Sequence, residues 1–123
     1  MQINSYTQQS VYGNHPTAGK YLNVGDAKIY YEVYGRGKPL LLLHGGFLGY
    51  IDEYSPYIPE LSKMYKVIAI ATRGHGKSEI GSKPYTEKLF AEDVLAIINK
   101  ETTQPGRAEE WLQKLIPYGW LIQ

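Results

Sequence analysis

Gly37-Lys38-Pro39-Leu40-Leu41-Leu42-Leu43-His44-Gly45-Gly46-Phe47 is an apolar run that stops abruptly at a polar, glycine-rich turn. Four successive leucines have no period of two, so the run predicts a strand covered on both faces, as inside a parallel sheet flanked by helices. Covering the leucines is expected to contribute about 2 kcal/mol per side chain. Gly45 and Gly46 permit positive φ and bare backbone at the carboxyl end of the strand, the edge of an α/β sheet at which ligands bind. The loop His44-Gly45-Gly46-Phe47 is therefore the first functional candidate, and the plainer alternative is that it only turns the chain.

A second run of the same shape follows. Lys66-Val67-Ile68-Ala69-Ile70 is apolar and rich in β-branched residues, and it opens into another glycine loop, Ala71-Thr72-Arg73-Gly74-His75-Gly76-Lys77-Ser78. Between the two runs, Ser55-Pro56 can start a short helix reaching about Met64, with Ile58, Leu61 and Met64 on one face and Pro59 limiting its length. Upstream, Tyr21 to Val24 and Lys28 to Tyr34 read as strands joined at the turn-forming pair Gly25-Asp26, which makes an antiparallel hairpin. Gly35-Arg36-Gly37 then turns into the leucine strand. Downstream, Gly81 to Pro84 continues the loop, and Thr86 caps a helix with Glu87 in its first turn and Phe90, Val94, Ile97 and Ile98 on its apolar face. Asn99 to Gly106 ends that helix.

At 123 residues and 43% hydrophobic content the chain has the material for one modest domain. Residues 1–20 are polar and aperiodic and predict a flexible or surface-clinging lead with little order before Tyr21. The net charge is +1 with both signs interspersed, so no basic surface points to nucleic acid. Cysteine is absent, which excludes disulfides, thiol catalysis and thiolate metal sites. The twelve tyrosines are spread along the chain and read as strand and surface aromatics. No apolar run approaches the ~20 residues that cross a bilayer, and residues 1–10 lack the apolar stretch of a signal peptide. The expectation is a soluble chain, cytoplasmic or, with a leader already removed, extracytoplasmic. No metal and no cofactor is predicted.

Hairpin, apolar strand with His-Gly-Gly, short helix, apolar strand with Arg-Gly-His-Gly-Lys-Ser, then helix: over about residues 21–101 this order resembles the amino-terminal part of an α/β-hydrolase. The resemblance implies an α/β fold with a mixed, mostly parallel sheet, flanking helices and the carboxyl-terminal strands missing. It implies that His44, Gly45, Gly46 and Phe47 form the oxyanion loop, with a backbone N–H of Gly46 or Phe47 as donor and His44 as a brace rather than the catalytic base. Arg73, Gly74, His75, Gly76 and Ser78 then form a loop that braces the floor of the active site. The family usually has Asp where this chain has Ala71.

The larger departure lies beyond the last helix, where the family has another apolar strand and then the Gly-x-Ser-x-Gly turn that presents a nucleophile. Neither is found in these 123 residues. The near match Gly76-Lys77-Ser78-Glu79-Ile80 lacks the final glycine and the helix behind it, so Ser78 is not taken as the nucleophile. The acid and late histidine of a triad are missing too. Residues 102–123 read as a divergent tail, with Trp111, Leu112, Leu115 and Ile116 on one stripe before Pro117. Truncation, frameshift, a gene fragment and a short isoform all predict the same sequence.

The expected function is thus a truncated ester-type hydrolase, inactive alone, that takes a small ester-like substrate only when completed by missing segments. Two alternatives stand beside it. One is a non-catalytic binding module or half of a split hydrolase, with strand 40–43 offered to a complementing chain or to self-association. The other is a nucleotide binder, since Ala71 to Ser78 nearly matches Gly-x-x-x-x-Gly-Lys-Ser/Thr, although that mechanism needs a helix starting at Lys77-Ser78.

Overall fold

A computed structural model of the chain describes residues 11–44 and 49–102. Strands β1 (Gly19–Asn23), β2 (Lys28–Tyr34), β3 (Lys38–Leu43) and β4 (Tyr65–Ile70) form one sheet in the order β1-β2-β4-β3. The hairpin is present: β1 and β2 run antiparallel, with Tyr21 opposite Tyr30, and Gly25 turns between them at φ 110°. β2 continues antiparallel onto β4, with Val33 opposite Ile68. The two apolar runs lie side by side and parallel, with Leu40 opposite Val67 and Leu43 opposite Ile70.

Alternation along these strands feeds two separate cores. Ile29, Tyr31, Ile68 and Ile70 pack against Phe90, Val94, Ile97 and Ile98 of helix α2 (Glu87–Glu101). Tyr30, Val67, Ala69 and Ala71 face the other way, against Ile51 and Ile58. Ile51 belongs to a 3₁₀ turn, Ile51–Tyr54, and Ile58 to helix α1 (Ile58–Leu61). Helices therefore cover both faces, as the apolar runs require. The side chain of Thr86 caps α2 by accepting from the Leu89 N–H at 3.0 Å. Among the described residues, no helix is long and apolar enough to cross a membrane.

Three expectations are corrected. The leucine run is not fully buried: Leu40, Leu41 and Leu42 are half-exposed and only Leu43 is inside, whereas Val67 to Ile70 are all buried. The reason is strand order, because β4 lies between two strands and β3 has a neighbour on one side only among the described strands. The expected helix from Ser55 to Met64 shrinks to Ile58–Leu61, since Ser55 closes the preceding 3₁₀ turn through its N–H to the Asp52 carbonyl. Pro59 sits in the first turn of α1, and Met64 is 65% exposed rather than on the packed face.

The third correction concerns the lead. Residues 11–18 are held on the sheet and β1 begins at Gly19, because Glu32, fully buried at the middle of β2, collects donors from this segment. Its carboxylate accepts from the Gly13 N–H at 2.9 Å, the His15 N–H at 3.1 Å and the Tyr30 and Tyr34 hydroxyls at 2.5 and 2.7 Å. His15 Nδ1 in turn accepts from the Ala18 N–H at 3.0 Å. Burial, reinforced by the hydrogen bond to Glu32, pushes both tyrosine hydroxyls well above their ordinary value. Of the 1–20 lead, residues 1–10 lie outside the described residues.

Glu32→Gln places amide hydrogens against this ring of donors, so it is expected to destabilise the chain by about 1–3 kcal/mol. Hydrogen exchange should show the Gly13 and His15 amides losing protection earlier than those of β4.

Candidate functional site

Because β3 and β4 are parallel and in register, their carboxyl ends finish together and the loops that follow share one rim of the sheet. His44 follows Leu43 directly and is only 4% exposed. The backbone N–H of Thr72, from the other loop, donates to His44 Nε2 at 3.0 Å, and Thr72 Oγ1 lies 3.1 Å from the same atom. A backbone N–H always brings its proton, so Nε2 must present its lone pair and is not free to take another proton while this bond stands. His75 joins the group, with its ring centroid 4.9 Å from that of His44 and its Nδ1 2.8 Å from Thr72 Oγ1 and 3.2 Å from the Arg73 carbonyl. The Tyr54 hydroxyl donates to the Leu43 carbonyl, anchoring the end of β3 from the 3₁₀ turn. Gly45, Gly46 and Phe47 lie outside the described residues.

The second loop is a pair of tight turns, His75 N–H to the Thr72 carbonyl and Ser78 N–H to the His75 carbonyl, each at 2.9 Å. Gly76 is required by both conformation and space. Its φ is 49°, and a Cβ there would stand 2.2 Å from the Tyr50 ring. Tyr50 also presses on Gly13, to whose carbonyl its hydroxyl donates, and burial pushes that hydroxyl up to about 12. Gly74, at φ 80°, packs beside Ile80.

Ser78 is buried and fully engaged. Its hydroxyl donates to the Ala71 carbonyl at 2.7 Å and accepts from the Tyr30 N–H at 2.8 Å, so it stitches the loop to β2 and has no base beside it. Ala71 is buried in the core beneath, and its N–H continues the sheet to the Tyr30 carbonyl.

Arg73, only 2% exposed, is the anchor of this loop. Its Nε and Nη2 donate to the two carboxylate oxygens of Asp93 in α2, both at 2.9 Å. Its Nη1 donates to Asp26 at 2.7 Å and to the Ile80 carbonyl at 3.2 Å. The same oxygen of Asp26 accepts from the Ser82 and Lys83 N–H groups at 2.9 and 3.0 Å. The Arg73 hydrogen bond, followed by that of the Lys83 amide, holds the Asp26 carboxyl well below the usual carboxylate range. Hydrogen bonding to Asp93 outweighs burial and raises Arg73 further.

The phosphate-loop alternative fails on geometry. α2 begins at Glu87, well after Lys77-Ser78, so no helix amino terminus points into the loop, and Lys77 Nζ lies 5.2 Å over the Tyr30 ring. Among the described residues no group of three or more His, Cys, Asp or Glu could hold a metal ion. Asp26, Glu32, Tyr50, Tyr54 and Asp93 were not legible as parts of this framework. Two signals existed: Asp93 interrupts an apolar helix face, and Glu32 stands mid-strand among tyrosines.

Residues 38–108 match the model of the alpha/beta hydrolase fold, more than half of the sequence, and the chain belongs to that family. It is 31% identical over 87 residues to the uncharacterized hydrolase YraK of Bacillus subtilis, covering 69% of this chain and 32% of that protein. It is 34% identical over 70 residues to a 2-hydroxy-6-oxo-6-(2'-aminophenyl)hexa-2,4-dienoic acid hydrolase of Metapseudomonas resinovorans, covering 55% of this chain and 24% of that one. Its fold superposes on a hydrolase from Pseudomonas aeruginosa with a TM-score of 0.61 at 28% identity, over 69% of this chain and 33% of the other. The chain thus spans about a third or less of the length of these relatives.

Arg73→Met strands the Asp93 carboxylate and is expected to cost about 3–5 kcal/mol, read from urea midpoints, whereas pairing it with Asp93→Leu should recover much of the loss. Asp26 predicts acid sensitivity. Its carboxyl lies below its ordinary value of 3.8 in the fold, so the stability it contributes is complete above that value and is lost as pH falls toward the folded one. Asp26→Asn should therefore lower the urea midpoint near neutrality and flatten its decline between about pH 5 and about pH 2.5.

Proposed function

We propose that this chain carries the oxyanion-loop half of a serine-type ester hydrolase site and does not hydrolyse esters by itself. The observation that carries the proposal is the locked His44: its Nε2 is taken by the Thr72 N–H, so it braces the root of the Gly45-Gly46-Phe47 loop and is not the base. In this reading a backbone N–H of Gly46 or Phe47 is the donor to the oxygen on which negative charge develops, a contribution of about 3 kcal/mol to the barrier in sites of this kind. The partner functions have no candidate here, because Ser78 is tied to Ala71 and Tyr30 and no Gly-x-Ser-x-Gly occurs in the sequence.

The place where a completing strand would enter follows from handedness. A right-handed crossover from β3 through α1 to β4 uses one face of the sheet, and α2 lies on the other, so a right-handed crossover from β4 through α2 returns past β3 to its free edge. A parallel strand laid there, from a longer form or a complementing chain, would bring a nucleophile to the rim beside His44. With such a strand the site would take a small ester-like substrate. A non-catalytic binding module is the second possibility, favoured by the same engaged Ser78.

The purified chain is expected to hydrolyse activated esters at the background rate and to remain unlabelled by a fluorophosphonate probe. Stoichiometric labelling, mapped to Ser78 or to any other residue, would overturn the proposal.

A further inference from the structure

We propose that Tyr50 is a strut that couples the docking of residues 11–18 to the setting of the glycine loop 71–78, so that this segment is a strap on which the brace of His44 depends. The inference rests on packing and hydrogen bonds among described residues and does not depend on the hydrolase half-site.

Two glycines meet opposite edges of one ring. A Cβ at Gly13 would stand 2.3 Å from Tyr50 Cε2 and 2.9 Å from Cδ2, and a Cβ at Gly76 would stand 2.2 Å from Cε1 and 2.7 Å from Cδ1. Both backbones are left-handed, with φ of 95° and 49°, so neither position takes a side chain without strain. The hydroxyl adds polar links along the same line. It donates to the Gly13 carbonyl, and while burial raises it, a hydrogen bond from the Lys77 backbone N–H opposes that rise. One side chain thus touches the segment before β1 with one edge and the loop after β4 with the other.

The strut is fixed at its base. Tyr50 leads directly into the 3₁₀ turn Ile51–Tyr54, whose Ile51 is buried in the core beneath β4 and whose Tyr54 hydroxyl holds the Leu43 carbonyl. A packed body held in this way is barely compressible, so a shift at one edge of the ring is passed to the other rather than absorbed. At the strap end, the Glu32 carboxylate holds the Gly13 N–H at 2.9 Å, and His15 Nδ1 closes the segment on the Ala18 N–H at 3.0 Å. At the loop end, Gly76 lies within the turns that begin at Thr72, whose carbonyl accepts from the His75 N–H at 2.9 Å and whose own N–H reaches His44 Nε2 at 3.0 Å. Lifting the strap therefore withdraws the Gly13 carbonyl and one wall of the ring, and the loop that braces His44 loses its backing.

Gly13→Ala is the perturbation, because the added methyl does not fit while ring and segment both stay in place. Native-state hydrogen exchange of the full chain reads the response at the Thr72, His75 and Ser78 amides. With Tyr50 present, the protection of these three is expected to fall roughly five- to tenfold, the worth of one ordinary hydrogen bond, while the Val67 to Ile70 amides of β4 change by less than about twofold. In the Tyr50→Leu background, which lacks the ring atoms at both contacts, the same Gly13→Ala change should leave the loop amides within about twofold. An equal fall in both backgrounds would overturn the proposal. So would loop amides that do not respond with Tyr50 present, or a fall shared by β4, which marks general destabilisation rather than coupling. Should the Tyr50→Leu chain itself lose the protection of β4, His15→Ala decides: it removes the acceptor of the Ala18 N–H without touching the ring. It should loosen the Gly13 amide and the three loop amides together and leave β4 unchanged, and loop amides that stay protected would overturn the proposal. Ester hydrolysis by the chain would overturn the half-site proposal and leave this one standing.

Discussion

The guanidinium of Arg73 is shared by two carboxylates that the sequence keeps far apart, Asp26 in the hairpin turn and Asp93 in α2, with the Ile80 carbonyl as a further acceptor. Burying a cation is costly unless its donors find acceptors, and here Nε, Nη1 and Nη2 all do. The planar fork suits this arrangement, since it grips Asp93 with two parallel bonds and still reaches Asp26 with the remaining nitrogen. Through it the hairpin, the glycine loop after β4 and the long helix become one body. Asp26 extends the bracing by holding the Ser82 and Lys83 amides, which fixes the run of chain that leads to the Thr86 cap.

Two other carboxylates act in the same way at different places. Glu32 gathers the amides of Gly13 and His15 and so fastens the segment before β1 over the tyrosine face of β2. Glu101 sits at the last turn of α2, where the helix dipole disfavours negative charge. Burial raises its carboxyl, but hydrogen bonds from Tyr31 and Lys20 and the charges of Lys20 and Lys66 outweigh that and hold it below the usual range. The middle of α2, through Asp93 and Arg73, and its last turn, through Glu101, are therefore tied to the rest of the fold by ionised groups, which adds to its sensitivity to acid.

The rim formed by the parallel pair β3 and β4 brings the two loops that follow them together. The brace between Thr72 and His44 is made entirely of residues from these two loops, so it needs no later part of the fold. The cost of the arrangement appears at the other side of β3. Among the described strands β4 is an inner strand and β3 an outer one, so the strand that leads into His44 has a sheet partner on one side only.

The sequence by itself determined the elements whose causes are local. Alternating apolar residues in β2, the pair Gly25-Asp26, the Thr86 cap with its helix face, and the two apolar runs ending in glycine loops are each written within a few residues, because backbone preference and periodicity act over that range. His44 and the Arg73 to Ser78 loop were found in the same way, from position and composition. What the tertiary structure decided was who meets whom. The two apolar runs read alike, yet Val67 to Ile70 are buried and Leu40 to Leu42 only partly so, since burial follows strand order rather than hydrophobicity. The partners of Arg73, the donors around Glu32 and the docking of residues 11–18 come from positions separated by tens of residues. No local pattern encodes such pairs: a buried charge needs an acceptor, but only the folded path of the chain selects which one arrives.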